Sequence, residues 1–314
     1  MIHFRLRLLA GVLAAGAVLG VTACGTSPSR ASSPVFVSPS GASVAPSGAS
    51  PPAVPAPAAS IPAVSASPSG AVAAPVSPQP TGVPGATPTG IRPPVVDHGP
   101  RVGNRVALTF DADMTDGMLH SLRSGRVRSY ANLRILDLLE REQVPATFFL
   151  TGKWVQRYPE VTRRIAGNPR FELANHTYGH LAFTGDCYGL PRLPARGMTE
   201  DVAKTFRVIE PYGGRQTRYF RFPGLCHDKA ALDALAPLGL TVVDGDVVSG
   251  DPFAEAWQPL VRAVLDKARP GSIVIMHVTE ANASMTDEAL PHILAGLRER
   301  GLVPATLSEV LTGG

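Results

Sequence analysis

Charged and aromatic side chains are almost missing from one long stretch of this 314-residue sequence, residues 25–96. The stretch consists mainly of Pro, Ser, Ala, Gly and Val, and Phe36 is its single aromatic residue. Such a segment cannot bury enough apolar surface to offset the entropy that is lost on ordering. A folded domain is therefore excluded here, and residues 24–97 are predicted to form a disordered, Pro-rich tether.

The N-terminus lacks an apolar run long enough for a comfortable membrane span. Its apolar run, residues 8–21, follows two arginines and leads into small residues before Cys24. This order predicts a secretory signal peptide over residues 1–23. Residues 21–24 also resemble a bacterial lipobox, in which Cys24 becomes the lipidated first residue of the mature protein. We expect a secreted chain anchored by lipid to the outer face of the bacterial cell membrane, with ordinary signal cleavage elsewhere as the alternative.

Cysteine is scarce, with three in the chain. If Cys24 carries lipid, Cys187 and Cys226 remain, and outside the cytoplasm an even pair predicts a disulfide. Two free, buried thiols are the alternative. The sequence also lacks a basic stripe with interleaved aromatic residues, which excludes nucleic acid as a partner. No obligate protein partner is evident.

Apolar and amphipathic segments alternate from His98 to Gly314, a length that suits one domain. Strands are predicted at residues 105–110, 146–150, 171–174, 219–222, 240–243, 272–276 and 302–306. Helices are predicted at residues 132–142, 159–166, 199–210, 229–238, 260–268 and 286–300. Pro159 opens one helix, Thr199 is an N-cap candidate, and residues 114–130 are predicted to form a long loop. Repeated β-α units of this length predict an α/β fold with a parallel sheet, open or closed.

Polar residues follow the predicted strands at the points where the strands end. They are Asp111, His176, Arg221, Asp246 and His277. In a β/α barrel the carboxyl ends of the strands carry the functional site. Each residue alone is compatible with a loop position of no role, but five such coincidences predict a site at this edge.

Two histidines four residues apart, His176 and His180, fall on one side of a helical turn or tight loop. At this spacing both can reach one metal ion. The strand that ends at Asp111-Ala112-Asp113 supplies carboxylates for a third ligand and a base. Two histidines and one carboxylate with open positions are typical of a catalytic metal site. A surface helix with two unrelated histidines is the alternative.

These segments together resemble the NodB-type polysaccharide deacetylases, a carbohydrate esterase family, from about residue 106 to residue 311. Five motifs occur in the family's order: Thr109-Phe110-Asp111, His176-Thr177-Tyr178-Gly179-His180, Arg221-Phe222-Pro223, Asp246 to Asp251, and Ile275-Met276-His277. The resemblance implies a distorted (β/α) barrel, with the deacetylase domain over residues 98–314. It also implies that acetyl groups are removed from N-acetylated sugars, or sometimes from O-acetylated ones.

The resemblance implies roles for several of the motif residues. His176, His180 and one carboxylate would hold a divalent metal ion, zinc or another ion such as cobalt, and a bound water would attack the acetyl carbonyl. Asp111 would be the general base. A backbone N–H near Gly224 would stabilise the oxyanion.

The remaining motif residues would serve proton transfer. His277 would be the general acid that protonates the leaving sugar nitrogen. Arg221 would keep Asp111 ionised and oriented. Asp251 or Asp246 would tune His277 or Arg221, and the sequence leaves both pairings open.

The first and third motifs depart from the family pattern. Ala112 stands where the family has its second, metal-binding aspartate. Asp113 is the nearest substitute, Asp116 is the fallback, and recruitment of Asp111 as the ligand would leave the base unassigned. Gly224 stands where the family usually has an aromatic residue, although a glycine still offers its N–H.

The leading functional hypothesis is a membrane-tethered deacetylase of an N-acetylated glycan, with peptidoglycan first and chitin-like N-acetylglucosamine polymers second. An O-acetyl xylan esterase would use the same residues. A non-catalytic, carbohydrate-binding lipoprotein of the cell wall is the alternative from another class. A non-haem iron oxygenase would also use two histidines and a carboxylate, but the close His-x-Asp pair that is common in those enzymes is missing.

Overall fold

The computed structural model describes residues 90–313, which fall within one compact unit of the chain. The predicted signal peptide, the lipidation site Cys24 and the tether up to residue 89 lie outside the described residues, so these remain predictions. Within residues 90–313, no helix is both long enough and apolar enough to cross a membrane.

The strands of the described region form one parallel sheet. In chain order they are β1 (Val95–Val96), β2 (Arg105–Ala112), β3 (Ala146–Leu150), β4 (Phe171–Asn175), β5 (Arg215–Phe220), β6 (Thr241–Val243), β7 (Val247–Val248), β8 (Ile273–His277) and β9 (Val303–Ala305). Their order across the sheet is β1-β6-β5-β4-β3-β2-β8-β7, and β9 pairs with the first residues of β2. The sheet curls into a half-barrel with helices, which confirms the predicted α/β fold of the distorted (β/α) barrel type.

Helices follow most of the strands of residues 90–313. They are α1 (Asp116–Arg123), α2 (Leu133–Arg141), α3 (Gly152–Arg157), α4 (Pro159–Gly167), α5 (Met198–Ile209), α6 (Lys229–Leu235), α7 (Trp257–Leu265), α8 (Thr286–Glu299) and α9 (Leu307–Leu311). The helix that Pro159 opens is confirmed, since this proline lies in the first turn of α4, where its missing N–H costs no hydrogen bond.

Two local predictions are wrong. Thr199 is not an N-cap, because α5 begins one residue earlier and the Thr199 hydroxyl donates to the carbonyl of Ala234. The predicted loop of residues 114–130 contains α1. Thr115 caps that helix by accepting a hydrogen bond from the backbone N–H of Met118 at 3.1 Å. A helix of two turns has too few residues to show a clear apolar period in the sequence.

The side chains of β2 alternate between two environments, as a period of two requires. The even-numbered residues from Val106 to Ala112 lie in the main apolar core. Ala107 lies instead in a smaller cluster, with Phe149 of β3 and Ile273 of β8. The odd-numbered positions of β2 therefore face the interior of the curled sheet.

Residues upstream of His98 also have a place in the fold. Val95 of β1 is in register with Val242 of β6. Arg92 donates a hydrogen bond to Asp233 at 2.8 Å. The folded region therefore begins before the predicted domain boundary at residue 98.

The predicted disulfide between Cys187 and Cys226 is present, with Cα atoms 5.9 Å apart. Its cysteines lie 39 residues apart in the chain, one in the loop after β4 and the other in the loop after β5. The bond therefore ties together two loops at the carboxyl edge of the sheet.

Candidate active site

The register of the parallel sheet brings the predicted site residues to one edge. Asp111 of β2 is in register with His277 of β8. His176 directly follows β4, and Arg221 directly follows β5. Because the carboxyl ends of parallel strands meet at the same edge, four residues that are far apart in the sequence converge there.

One carboxylate and two imidazoles form the centre of the site. Asp113 Oδ1 lies 3.4 Å from His176 Nε2 and 3.3 Å from His180 Nε2. The three side chains each offer one ligand atom, and these atoms all lie within 4.8 Å of one another. We call Asp113, His176 and His180 the Asp-His-His cluster.

Strand alternation explains why Asp113 is the carboxylate of this cluster. It lies two residues beyond Asp111 and so falls on the same side of the chain, whereas Ala112 is buried in the main core. Asp116 lies on the exposed helix α1, where its carboxylate accepts a hydrogen bond from Lys153 Nζ at 2.6 Å. Of the alternatives left open by the sequence, the geometry brings Asp113 to the histidines and directs Asp116 away.

The histidine motif is a tight loop and not a helical turn. Thr177 has a φ of 70° and His180 a φ of 55°, values in the left-handed region that non-glycine residues rarely adopt. Two side chains hold this backbone in place. Asn175 Oδ1 accepts from the N–H of Thr177, and Thr177 Oγ1 accepts from the N–H of His180, both at 3.0 Å. The loop thereby aims both imidazoles at the same point.

The donor atoms of the cluster fit a divalent metal ion. Asp113 Oδ1 is buried and has no hydrogen-bond partner among residues 90–313. His176 Nδ1 lies 2.9 Å from the carbonyl oxygen of Arg221, which can only accept. Nδ1 therefore carries the hydrogen, and the lone pair of Nε2 faces the cluster. One carboxylate oxygen and two imidazole nitrogens suit a divalent transition metal.

The protonation states of the cluster suit the same ligand. Burial raises the pKa of Asp113, but the imidazoles of His180, His277 and His176 lower that pKa by more, so it falls well below its usual range. Burial lowers the pKa of His180 to about 4, against the opposing effect of Asp113. At neutral pH the carboxylate is therefore charged and this imidazole neutral, the states in which both can bind a cation.

Asp111 is anchored through one of its two oxygens. Arg221 Nη1 donates to Asp111 Oδ1 at 2.6 Å and to Thr109 Oγ1 at 2.9 Å, and Arg221 Nε donates to the carbonyl of Val243 at 3.1 Å. The guanidinium is fully buried and lies 4.0 Å from the centroid of the Phe149 ring. Asp111 Oδ2 faces the cluster and lies 3.7 Å from His176 Nε2. This oxygen is placed to accept a proton.

His277 is held beside the cluster by Asp251. His277 Nδ1 lies 2.8 Å from Asp251 Oδ1, and the backbone N–H of His277 donates to Asp251 Oδ2 at 2.7 Å. Ser249 and Thr286 donate their hydroxyls to the same carboxylate, at 2.9 Å and 2.7 Å. His277 Nε2 faces Asp113 Oδ2 at 3.7 Å.

The charges around His277 favour its protonated form. Burial lowers the pKa of His277, but the carboxylates of Asp251 and Asp113 raise that pKa by more, to about 10. At neutral pH the imidazole therefore carries a proton on the nitrogen that faces the cluster. This is the state that a general acid needs.

The structure places Asp246 away from this site, although the sequence offered it as a tuning carboxylate. Asp246 accepts hydrogen bonds from Ser272 Oγ at 3.0 Å, from the N–H of Ile273 at 2.8 Å and from Arg101 at 2.7 Å. Ile273 begins β8 and His277 ends it, so four residues of strand, about 13 Å, separate the two positions. Of the two carboxylates left open by the sequence, Asp251 contacts His277, whereas Asp246 binds the backbone at the start of β8.

Gly224 lies in a close contact between the two disulfide-linked loops. Its φ is 61°, and a Cβ built there would lie 2.7 Å from Cys187 Sγ and 2.9 Å from the Tyr188 ring. A side chain at this position is excluded on both grounds. The Tyr188 ring thus covers the position where the family resemblance leads one to expect an aromatic residue. The oxyanion role of the Gly224 N–H stays a prediction.

Three hydroxyls lie in the site although no role is predicted for them from the sequence. Thr109 shares the odd-numbered face of β2 with Asp111, so strand alternation alone could have identified it. Ser249 lies two residues before Asp251, in a turn whose conformation the sequence leaves open. Thr286 comes from the start of α8 and gives no local signal, because only the fold brings it to Asp251.

Comparisons with known proteins identify a matching family model and several similar sequences. Residues 98–243 match the family model described as polysaccharide deacetylase. The chain is 28% identical to the uncharacterized protein YlxY of Bacillus subtilis over 178 residues, 57% of this chain and 52% of that protein. The match therefore spans about half the length of YlxY. Over 179 residues the chain is 30% identical to a chitooligosaccharide deacetylase of a Bradyrhizobium species, which covers 53% of this chain and 78% of that protein. A peptidoglycan-N-acetylglucosamine deacetylase of Bacillus cereus is 26% identical, over 56% of this chain and 62% of that protein.

Solved structures with the same fold include both inactive and active proteins. One is a CE4 family pseudoenzyme of Bacillus anthracis, with 25% identity, a TM-score of 0.56 and coverage of 70% of each chain. A mutant of that pseudoenzyme with restored enzymatic activity matches at 26% identity and the same TM-score, over 70% of this chain and 72% of the mutant's. A family 4 acetyl xylan esterase of Clostridium thermocellum, in complex with a cobalt ion, matches at 27% identity and a TM-score of 0.53, over 66% of this chain and 90% of the esterase's.

Proposed function

Because the chain belongs to the polysaccharide deacetylase family, we propose that it is a metal-dependent hydrolase that removes acetyl groups from an N-acetylated glycan. The observation that carries this proposal is the buried Asp-His-His cluster beside two separately anchored groups, Asp111 and His277. A carboxylate and an imidazolium beside a metal site supply a base and an acid for hydrolysis of an amide.

A divalent cation in the cluster, for which we propose zinc, would act as a Lewis acid towards the acetyl carbonyl and lower the pKa of a water molecule. Asp113, His176 and His180 hold the ligand atoms in place before it binds. The backbone hydrogen bonds of the histidine loop hold the two imidazoles in this arrangement without the cation. The proposed N–H of Gly224 would stabilise the oxyanion that forms as the water adds to the carbonyl.

Two proton transfers by the chain complete the reaction. Asp111 Oδ2 accepts the proton of the attacking water, while Arg221 keeps Oδ1 engaged and so fixes the direction of the carboxylate. His277 Nε2 donates its proton to the sugar nitrogen as the C–N bond breaks. The water oxygen bonds to the acetyl carbon, and the products are acetate and a free amino sugar. Asp251 stabilises the protonated imidazole and sets its orientation.

The substrate and location remain parts of the proposal. Relatives of the chain are deacetylases of chitooligosaccharides and of peptidoglycan N-acetylglucosamine. The predicted lipidation of Cys24 and the predicted tether that follows it would hold the domain near the cell wall. We therefore propose peptidoglycan as the first substrate and chitin-like oligomers as the second.

Acetate release by the purified chain tests this function. The substrates are peptidoglycan, N-acetylglucosamine oligomers and acetylated xylan, and the assay runs after chelation and again after zinc or cobalt is restored. His176→Ala removes one ligand, and His120→Ala removes an exposed imidazole of α1 as the matched control. We expect metal-dependent acetate release that His176→Ala abolishes and His120→Ala retains. Release from acetylated xylan alone would instead assign an O-acetyl esterase.

A non-catalytic, wall-binding role is the second candidate. The structural likeness to a pseudoenzyme and the alanine at position 112 favour it. It predicts glycan binding without acetate release by a folded, metal-loaded chain. The position of Asp113 against both histidines supports the hydrolase over this alternative, because it restores a carboxylate to the cluster.

A further inference from the structure

Two aromatic side chains stand out by their exposure. Phe253 is 79% exposed and Tyr188 is 76% exposed, although each carries a large apolar surface. Leaving such a side chain in water forgoes the free energy that its burial would gain. The two rings lie against each other, with centroids 6.4 Å apart and planes inclined by 36°.

The backbone at Tyr188 makes this exposure more informative. Tyr188 has a φ of 51° and Gly189 a φ of 71°, and the N–H of Leu190 donates to the carbonyl of Cys187 at 2.9 Å. Two central residues with positive φ define a turn in which Asn, Asp and Gly are strongly preferred. A tyrosine in the first central position is therefore strained. Neither burial nor turn geometry accounts for its presence.

Both rings lie close in the chain to the groups proposed for proton transfer. Phe253 is two residues beyond Asp251, which binds His277. Tyr188 contacts Gly224, three residues beyond Arg221, and the preceding cysteine is fixed by the disulfide. Chain segments of two or three residues span at most about 7–11 Å. The pair therefore joins two loops at the rim of the site.

We propose that Tyr188 and Phe253 form an aromatic platform on which a sugar ring of the glycan lies beside the acetylated residue. This inference rests on the proposed function. The axial C–H groups of a pyranose form an apolar face with slight positive charge, which complements the negative face of an aromatic ring. The two inclined rings present such faces to solvent. Tyr188 belongs to the loop after β4 and Phe253 to the segment that carries Asp251, so one sugar that touches both rings would lie at the rim of the site.

The test measures binding of the N-acetylglucosamine pentamer and monomer by titration calorimetry. The full chain carries Asp111→Asn, to prevent turnover, and is loaded with zinc. Tyr188→Asn removes the ring and gives the turn its preferred Asn-Gly sequence. We expect the pentamer to bind about tenfold more weakly and the melting temperature to stay equal or rise. Tyr188→Phe should retain binding, and Phe253→Ala should weaken it by a similar factor.

Val102→Ala is the control, because Val102 is 66% exposed and lies before β2, at the opposite end of the sheet. It should leave pentamer affinity unchanged. Equal affinity for the pentamer in Tyr188→Asn, Phe253→Ala and the parent would overturn the platform, as would a parent that does not bind the pentamer. Acetate release by the chain with Asp111 intact is scored separately. Loss of binding without any acetate release would support the platform and reject the hydrolase.

Discussion

The carboxylates in the two parts of the site differ in how their oxygens are partnered. In the Asp-His-His cluster, Asp113 Oδ1 is buried without a hydrogen-bond partner among residues 90–313, and the histidine loop carries two left-handed, non-glycine residues. The proton-transfer pairs are Asp111 with Arg221 and His277 with Asp251. In these pairs both oxygens of Asp251 and one oxygen of Asp111 are engaged by donors at 2.6–2.9 Å. An unpartnered buried oxygen costs free energy that a partnered one does not. The cluster is built around a ligand, whereas the pairs are built to hold two side chains in fixed orientations.

The largest expected effect is the loss of the metal site. Asp113→Ala removes the carboxylate of the cluster, so metal binding should be lost and acetate release should fall by at least about 10³-fold, since a bound metal contributes several kcal/mol. Metal content by mass spectrometry and acetate release check this. Asp116→Ala is the matched control and should retain both, because that carboxylate pairs with Lys153 at 2.6 Å. Loss of metal in Asp116→Ala alone would transfer the ligand role to Asp116.

The next effect is on stability and concerns the proton-transfer side. Arg221→Met leaves the buried Asp111 without its cation, and breaking a buried ion pair in this way costs about 3–5 kcal/mol. Arg101→Met breaks the partly exposed pair with Asp246, where we expect a loss of about 1 kcal/mol or less. Urea denaturation of the metal-free chain measures both. A double variant, Arg221→Met with Asp111→Asn, should lose less than the sum of the single losses, since the two residues are in contact.

Removal of the disulfide tests whether the Asp-His-His cluster and the proton-transfer residues can be disturbed independently. Replacing both Cys187 and Cys226 with alanine opens a link between residues 39 apart and should lower the unfolding free energy by about 2–4 kcal/mol. One freed loop follows Arg221 and carries Gly224. The other follows the histidine loop, which keeps the hydrogen bonds that Asn175 and Thr177 accept from its backbone. Acetate release should therefore fall while zinc affinity, measured by competition with a chelator, stays unchanged. A parallel loss of zinc affinity would show that the cluster depends on the disulfide.

Much of the fold follows from local sequence patterns. Apolar runs and amphipathic periods predict the long elements, because burial of one face dominates their energetics. Pro159 predicts the start of α4, since its missing N–H costs nothing in a first turn. The two-residue strands β1 and β7 and the short helices α1 and α3 are different. The strands depend on pairing partners that are distant in the chain, and the helices are too short to show a hydrophobic period in the sequence.

The site, like the fold, has parts that the sequence predicts and parts that it does not. The motifs bring Asp111, His176 and His277 to one edge, because strand ends can be predicted and parallel strands share that edge. The pairing of Asp251 with His277 could not be predicted, because it depends on a turn after β7 and on register across the sheet. Asp246 was equally plausible in the sequence, and only the three-dimensional placement of the start of β8 excludes it from the site.

The smallest expected effect tests the proton-transfer side by pH. Asp251→Asn removes the nearest charge that raises the pKa of His277, so that pKa should fall below its value of about 10. The alkaline limb of acetate release should then move to lower pH, with a loss of about 10–100-fold at neutral pH, as for a supporting residue. Asp246→Asn is the control and should leave the profile unchanged.

The pH dependence of folding stability gives a second test of the contact between Asp251 and His277. Because the folded pKa of His277 is raised from 6.5 to about 10, its protonation stabilises the folded chain fully below pH 6.5. That contribution is lost as the pH rises through about 10. With metal chelated, the melting temperature of the wild-type chain should therefore fall over this window more than that of Asp251→Asn. Equal slopes in the two chains would mean that Asp251 positions the imidazole through its hydrogen bonds but does not set the imidazole's charge.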